Sequence, residues 1–242
     1  MLALNTEQAR SYRYLDLITA FFVTTLILSN VASSAKIIDL GLSVFGIPLA
    51  FDGGSLLFPL SYVTGDILTE VYGFRASRRV IWTGFCALAL SSLVFRALRA
   101  LPAEAAWEGY AGGAAYDAIL GGMSTGGIVL ASLAGYFAGE FSNSALLSRL
   151  KIAMGGRLLF VRTIGSTLLG ELLDSVIFVS IAILAGVFGR ELFLSLVVTN
   201  YILKCLVEVL MTPVTYIAVR KLKKAERADV YDTGLSYNPF AA

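Results

Sequence analysis

Residues 65–71, GDILTEV, carry two carboxylates inside a segment that is otherwise as apolar as a membrane helix. Residues 170–176, GELLDSV, repeat the same order of glycine, acid, apolar residue, leucine, two polar residues and valine without a gap. The match falls on residues that hydrocarbon tolerates least, rather than on common leucine or alanine positions. We therefore interpret the two heptapeptides as corresponding parts of two related halves.

The composition favours a membrane protein. Of 242 residues, 57% are hydrophobic and 15% are charged, with a mean hydropathy of +0.77, whereas soluble domains carry about 25% charged residues. The net charge of +2 does not indicate nucleic acid as a partner. Histidine, the commonest metal ligand and neutral-pH base, does not occur, and Cys86 and Cys205 lack the spacing of a metal site. We predict no metal and no other cofactor, and an enzyme is disfavoured.

Six apolar segments are long enough to cross the hydrocarbon core, which needs roughly 20 helical residues. They lie near residues 14–35, 55–72, 79–99, 125–147, 162–188 and 192–217. The sequence thus predicts an all-α integral membrane protein with six transmembrane helices. We expect a single polytopic domain over residues 1–242, with a cytoplasmic tail at 218–242.

The basic residues alternate between the two sides of the predicted helices. One side carries Arg10, Arg13, Arg75, Arg78, Arg79, Arg149, Lys151, Arg157, Arg162, Arg220, Lys221, Lys223, Lys224 and Arg227. The other side carries only Lys36, Arg96, Arg99 and Arg190. Because cytoplasmic loops retain Lys and Arg, both termini should be cytoplasmic. The second half then enters the membrane from the opposite side, which predicts a 3+3 inverted repeat with a binding site near the midplane.

Three segments outside the spans have their own patterns. Residues 37–54 alternate in hydropathy and contain Gly and Pro, which predicts a short β-hairpin or a re-entrant cap. Residues 100–124 carry aromatic side chains among small ones, as expected of a segment at the membrane interface. The final residues 225–242, AERADVYDTGLSYNPFAA, are polar enough to be interpreted as a solvated tail.

Polar residues at membrane depth are the candidate substrate-binding residues, because a charge at the bilayer centre costs about 2.5–3.5 kcal/mol. Residues three or four apart share a helix face. This spacing gives one stripe on the second span and another on the sixth: Phe58, Tyr62, Asp66 and Glu70, and Asn200, Lys204 and Glu208. The other candidates are Asn30, Glu140, Asn143, Arg162, Ser166, Glu171 and Asp174. Aromatic rings, carboxylates and amides together suit a planar, polar heterocycle.

The carboxylates at this depth outnumber the basic groups, so a site that binds protons, a cation or both is the simplest interpretation. Structural alternatives stay open. Lys204 and Glu208 could form a buried ion pair that fixes helix packing, and Arg162 could be an ordinary boundary charge. Phe58 and Tyr62 could be core aromatics. An intramembrane enzyme, or a packing and assembly protein, is the alternative from another functional class.

Several separated motifs resemble the queuosine precursor transporter family, within the vitamin uptake transporter group. They are FPLSYVTGDILTEVYGFRASRRVIW (58–82), GEFSNSALLSRLK (139–151), RTIGSTLLGELLDSVIF (162–178), YILKCLVEVLMTP (201–213) and ERADVYDTGLSYNPF (226–240). The family's polar pattern is met at Asp66, Thr69, Glu70, Tyr72, Gly73, Glu140, Asn143, Arg162, Ser166, Asp174, Lys204 and Glu208.

This resemblance implies a multi-pass carrier of the bacterial inner membrane that imports 7-deazaguanine bases such as preQ0 and preQ1. The expected partners are a purine-like base and the lipid bilayer, with no nucleic acid. Proton coupling and a homodimer are left open. The alternative within transport is a substrate-binding membrane subunit that depends on a separate ATP-hydrolysing module.

Overall fold

The computed structural model describes residues 12–44 and 46–240. In chain order the helices and strands are α1 (Leu15–Ala35), β1 (Ile37–Val44), β2 (Ile47–Asp52), α2 (Phe58–Tyr72), α3 (Phe74–Ala100), α4 (Ala105–Tyr110), α5 (Gly112–Ser124), α6 (Gly127–Ala153), α7 (Leu159–Leu184) and α8 (Phe193–Glu226). Short 3-10 turns at Gly53–Leu56 and Arg190–Leu192 precede α2 and α8. Residues 1–11, which include Arg10, lie outside the described residues.

The chain is a multi-pass membrane protein with an all-α core. In the described ranges, α1, α3, α7 and α8 are each long and apolar enough to cross a membrane. Helices α5 and α6, bent by 42° at the break between them, count as a fifth span if they are taken together. Leu28, Leu93 and Ile202 are each more than half exposed on the outer surface, while carboxylates and amides are buried inside. An apolar outer surface around buried polar side chains fits a protein surrounded by lipid.

Helix α2 is shorter than the predicted second span. It has 15 residues, fewer than the roughly 20 that span the hydrocarbon core. Residues 55–57 of the predicted span lie outside α2, because the Asp52 side chain caps a 3-10 turn there, accepting from Gly54 N. Gly73, with φ of 84°, ends α2 in a conformation that favours glycine. Almost all of α2 is buried among the other helices, so its two carboxylates face protein rather than lipid.

Helices α6 and α7 pack closely because glycines face each other across the pair. A Cβ on Gly170 would lie 2.9 Å from the Cβ of Asn143 and 2.9 Å from the carbonyl oxygen of Gly139. Small residues allow this close approach of helix backbones in membranes. The contact brings the polar residues of the two helices side by side.

The hairpin predicted for residues 37–54 is present. Strands β1 and β2 are antiparallel, with Ile37 opposite Asp52. Ser195 at the start of α8 donates to Pro48 O and accepts from Ala50 N, so the hairpin is tied to α8. We call this end of the helices the hairpin end, and the opposite end, where the α2–α3 turn and Lys151 lie, the basic end.

The structure corrects one expectation about the connecting segments, the freely solvated tail, whereas the interfacial position of residues 100–124 stays a prediction. Residues 105–124 form helices, and α5 packs against α1 and α3: Tyr116 Oη donates to Phe95 O at 2.7 Å, and Ser34 Oγ to Ile119 O at 2.9 Å. The predicted tail does not project freely into solvent: α8 continues to Glu226, and the residues after it pack against the basic end, although about half of them keep exposed side chains. The inverted repeat, the six spans and the cytoplasmic termini stay predictions.

Candidate functional site

Most of the predicted polar residues divide into three groups along the helices. The central group is formed by α2, α6, α7 and α8. In it Lys204, buried to 3% exposure, forms ion pairs with Asp174 and, at 3.3 Å, with Glu171 on α7. Its ammonium group also lies 5.1 Å from the centroid of the Phe58 ring. The GELLDSV segment therefore holds the basic group of this cluster.

The structural alternative that paired Lys204 with Glu208 is wrong. These residues lie one turn apart on α8, but the ammonium is directed to two carboxylates of α7 instead. Neither carboxylate oxygen of Glu208 has a hydrogen-bond partner among residues 12–44 and 46–240. Glu208 is thus a buried acid without a basic partner in the described part of the chain.

Asp66 and Glu140 meet on the other side of the group. Asn143 Nδ2 donates to Asp66 Oδ1 at 2.8 Å, and Ser144 Oγ donates to Glu140 Oε1 at 3.1 Å. Glu140 lies directly against Gly65, where an added Cβ would be 2.0 Å from Oε1. The glycine of GDILTEV therefore makes room for a second carboxylate beside Asp66.

Several buried polar atoms of the central group have no hydrogen-bond partner in the described ranges. They are Tyr62 Oη, Asp66 Oδ2, Glu140 Oε2, Asn143 Oδ1, and both carboxylate oxygens of Glu208. Leaving one such group unpaired costs about 1–3 kcal/mol, so the concentration of so many in one place is unfavourable for folding alone. Apart from the tyrosine hydroxyl, all are acceptors when the acids are ionised. The arrangement is complementary to a ligand rich in donors, or to protons.

Aromatic rings form one wall of this group. Tyr62 and Tyr136 pack edge to face with ring centroids 5.5 Å apart, and Phe58 packs against Phe178 at 6.5 Å. Sequence reasoning missed Tyr136, whose hydroxyl is buried without a hydrogen-bond partner among the described residues. Its position in the sequence, one helical turn before Glu140, could have indicated that it lies in this group.

Asn200 belongs to a separate group at the hairpin end. Its Nδ2 donates to Asp52 Oδ2 at 3.0 Å, and its Oδ1 accepts from Ser55 Oγ at 3.0 Å. Asp52 also accepts from Ser33 and from Gly54 N. Sequence reasoning missed Asp52, although it immediately precedes the second apolar segment in the motif FDGG. This group is fully hydrogen-bonded, which favours a role in closing the hairpin end.

Glu70 and Arg162 form the third group, at the basic end. Arg162 Nη1 donates to Glu70 Oε2 at 2.7 Å, and Lys223 Nζ donates to Glu70 Oε1 at 2.6 Å. Lys151 Nζ donates to the Glu70 carbonyl oxygen at 2.7 Å. Arg162 is fully buried, so it is not an ordinary boundary charge. Sequence reasoning missed Lys151 and Lys223, because the predicted spans place Lys151 in a loop and Lys223 in the tail.

The two remaining candidates bond to their own helices. Asn30 Nδ2 donates to Leu26 O at 2.9 Å, and Ser166 Oγ donates to Thr163 O at 3.0 Å. Asn30 Oδ1 is buried without a partner in the described part of the chain. Over the same residues, no group of three or more Cys, Asp or Glu side chains is arranged to hold a metal ion.

A family profile described as "Putative vitamin uptake transporter" matches residues 52–218. The "Probable queuosine precursor transporter" of Bacillus subtilis (strain 168) is 26% identical over 176 residues, which cover 72% of this chain and 74% of that protein. No solved structure gave a significant match. The profile match begins at Asp52 and ends within α8, so it includes the whole central group.

Proposed function

The chain belongs to the vitamin uptake transporter family, and from that premise we propose that it imports queuosine precursors across the bacterial inner membrane. The substrates are 7-deazaguanine bases such as preQ0 and preQ1. The family supports transport and disfavours an enzyme. The substrate class follows from the name of the Bacillus subtilis relative and from the resemblance of the motifs.

The observation that carries this proposal is the set of unpartnered acceptors in the central group. A deazaguanine offers ring N–H groups and an exocyclic amine, and its amidine-like edge presents two parallel N–H donors that suit one carboxylate. Asp66 is our choice for that contact, because Asn143 holds Oδ1 at 2.8 Å, while Oδ2 lies beside the Glu208 carboxyl and has no basic partner among the described residues. Phe58 and Tyr62 supply the faces on which the ring stacks.

The charge of the central group favours a positively charged ligand or protons. Asp66, Glu140, Glu171, Asp174 and Glu208 would contribute five negative charges if all were ionised, against one positive charge from Lys204. Glu171 and Asp174 share that lysine, so Asp66, Glu140 and Glu208 are the acids in excess. We propose that these three bind either the aminomethyl cation of preQ1 or coupling protons, which would accompany the neutral preQ0.

The proposed carrier has six spans, with α2 as a short second span enclosed by the others. The basic end faces the cytoplasm, in accordance with the distribution of Lys and Arg. The halves that contain GDILTEV and GELLDSV form an inverted repeat around the central group. Glu70 and Arg162 close the cytoplasmic side, Asn200 and Asp52 close the opposite side, and Asn30 and Ser166 line the path.

Thermal stabilisation of the purified protein by a panel of free purines and deazapurines at two pH values tests this proposal. We expect preQ0 and preQ1 to raise the melting temperature, guanine to raise it less, and adenine to leave it unchanged. Stabilisation by preQ0 should weaken at the higher pH, since a proton must accompany a neutral base. Equal stabilisation by adenine, or none by any deazapurine, would contradict the substrate assignment.

A further inference from the structure

Residues 228–240, which we call the C-terminal strap, fold back across the basic end after α8. Glu226 is the last residue of α8, and its carboxylate accepts from the backbone N–H of Tyr14 at 2.7 Å and from Tyr72 Oη at 2.9 Å. The chain then turns at Arg227, whose φ is 50°. Val230 N donates to Val71 O at 3.4 Å. The strap thus begins by packing against the end of α2.

Asp232 fixes the middle of the strap to both halves of the protein. Its Oδ2 accepts from Phe74 N at 2.9 Å, at the start of α3, and from Ser148 Oγ at 2.7 Å, on α6. Tyr237 lies 4.7 Å from the Arg149 guanidinium and 5.2 Å from the Phe74 ring. One short segment therefore joins the α2–α3 turn to the end of α6.

The last residues of the strap are held by α3 and α6. Arg78 Nη1 donates to Asn238 O at 2.9 Å, and Trp82 Nε1 donates to Pro239 O at 3.0 Å. The Phe240 ring packs 5.7 Å from Trp82 and 5.6 Å from Phe137. These contacts hold the end of the strap against the helices, although the Phe240 side chain is 71% exposed.

The strap also shares its basic partners with Glu70. Lys223 Nζ lies 2.6 Å from Glu70 Oε1 and 2.8 Å from Asp229 Oδ1. Lys151 Nζ lies 2.6 Å from Asp229 Oδ1 and donates to the carbonyl oxygens of Glu70 and Val230, at 2.7 Å each. Glu70 stands one helical turn from Asp66 on α2. Asp229 therefore completes the ion network that closes the basic side of the central group.

We propose that the C-terminal strap is a latch that holds the basic end closed, and that it must release before the central group opens to that side. Movement of one half against the other would separate α2 and α3 from α6 and α8. The strap contacts α2, α3 and α6 through Val230, Asp232 and Asn238. Asp229 adds the contact with α8 through Lys223 and supplies the negative charge that keeps two lysines beside Glu70. The latch rests on the proposed function only in taking the central group as a site that opens to both sides.

Labelling of a single cysteine tests the latch. The parent protein carries Cys86→Ser, Cys205→Ser and Ser166→Cys. Ser166 is buried on α7 one turn from Arg162, and its hydroxyl donates to Thr163 O of the same helix, so the change is mild. A membrane-impermeant maleimide is added to inverted membrane vesicles, where the basic end faces the reagent, and the labelling rate is measured.

We expect Asp229→Asn to speed labelling on the order of three- to tenfold, because it removes two partly exposed ion pairs. Truncation after Arg227 should speed it at least tenfold, because it also removes the contacts of Asp232 and Asn238. Asp117→Asn makes the same chemical change in the exposed pair with Arg99, remote from the strap, and should leave the rate unchanged.

Labelling at the parent rate in both strap variants would overturn the latch. If the truncated chain fails to fold, Asp232→Asn replaces it, since that change weakens the contacts with Phe74 and Ser148 and leaves every helix intact. An unchanged rate in Asp229→Asn and Asp232→Asn together would equally overturn the proposal. The assay contains no base, so a wrong substrate assignment would not alter its result.

Discussion

Replacing Asp66 by Asn should weaken binding of a deazaguanine while leaving the fold intact. The Asn143 amide donates to Oδ1 of Asp66 at 2.8 Å, and the carbonyl oxygen of an asparagine can still accept that bond, although without the strength that the carboxylate charge adds. The substitution therefore changes mainly Oδ2, which lies beside the Glu208 carboxyl and has no basic partner among the described residues. There the amide N–H would face the N–H donors of the base instead of accepting from them.

The size of the loss follows from the type of bond. A hydrogen bond to a charged group contributes about 1.5–3 kcal/mol, and each 1.4 kcal/mol is a factor of ten in affinity. Asp66→Asn should thus raise the Kd for preQ0 and preQ1 by roughly ten- to 150-fold. Isothermal titration of the protein in detergent measures this, with Asp117→Asn at the exposed Arg99 pair as the matched control. An unchanged Kd in Asp66→Asn would refute the placement of the base against Asp66.

Three further predictions concern stability and pH. Lys204→Met should destabilise the protein by about 3–5 kcal/mol, because it leaves buried carboxylates without a cation, and adding Asp174→Asn should recover part of the loss in melting temperature. Gly139→Ala should cost about 1–3 kcal/mol by overpacking, since the new Cβ would lie 2.8 Å from the Asp174 Cβ, whereas Gly165→Ala, with no atom within 4 Å, should not destabilise. Burial acts to raise the pKa of Asp229, but hydrogen bonds from its two lysine partners hold that pKa below its usual value. The stabilisation is thus complete above the unfolded pKa of about 3.9 and is lost as the pH falls through the lower folded pKa. Cleavage of the C-terminal strap by pepsin should rise in that pH window in the wild type but not in Asp229→Asn.

The burial of the polar residues was predictable from the sequence, whereas the pairing between them was not. Asp66, Glu140 and Glu208 had to face inward, because a lipid-facing carboxylate is too costly. The partner of Lys204 depends instead on how α7 and α8 are rotated against each other. Spacing along α8 indicated Glu208, whereas the structure pairs Lys204 with Asp174 and Glu171.

The predicted start of the second span and the predicted tail were wrong for local structural reasons. The predicted second span includes residues 55–57, but the Asp52 side chain caps a 3-10 turn there and the helix begins only at Phe58. The strap was interpreted as solvated because its composition is polar. Some of its hydrogen bonds run through main-chain groups such as Val230 N and Pro239 O, which composition does not reveal, and its acidic side chains bind the basic end.

Uptake by the purified protein in liposomes tests the central claim most directly. Without ATP and without any other protein, liposomes that contain the wild type should take up labelled preQ0 or preQ1 saturably, and those that contain Asp66→Asn should take up far less at the same concentration. Uptake no greater than that of protein-free liposomes, or uptake that requires an added ATP-hydrolysing module, would contradict the account of an independent carrier.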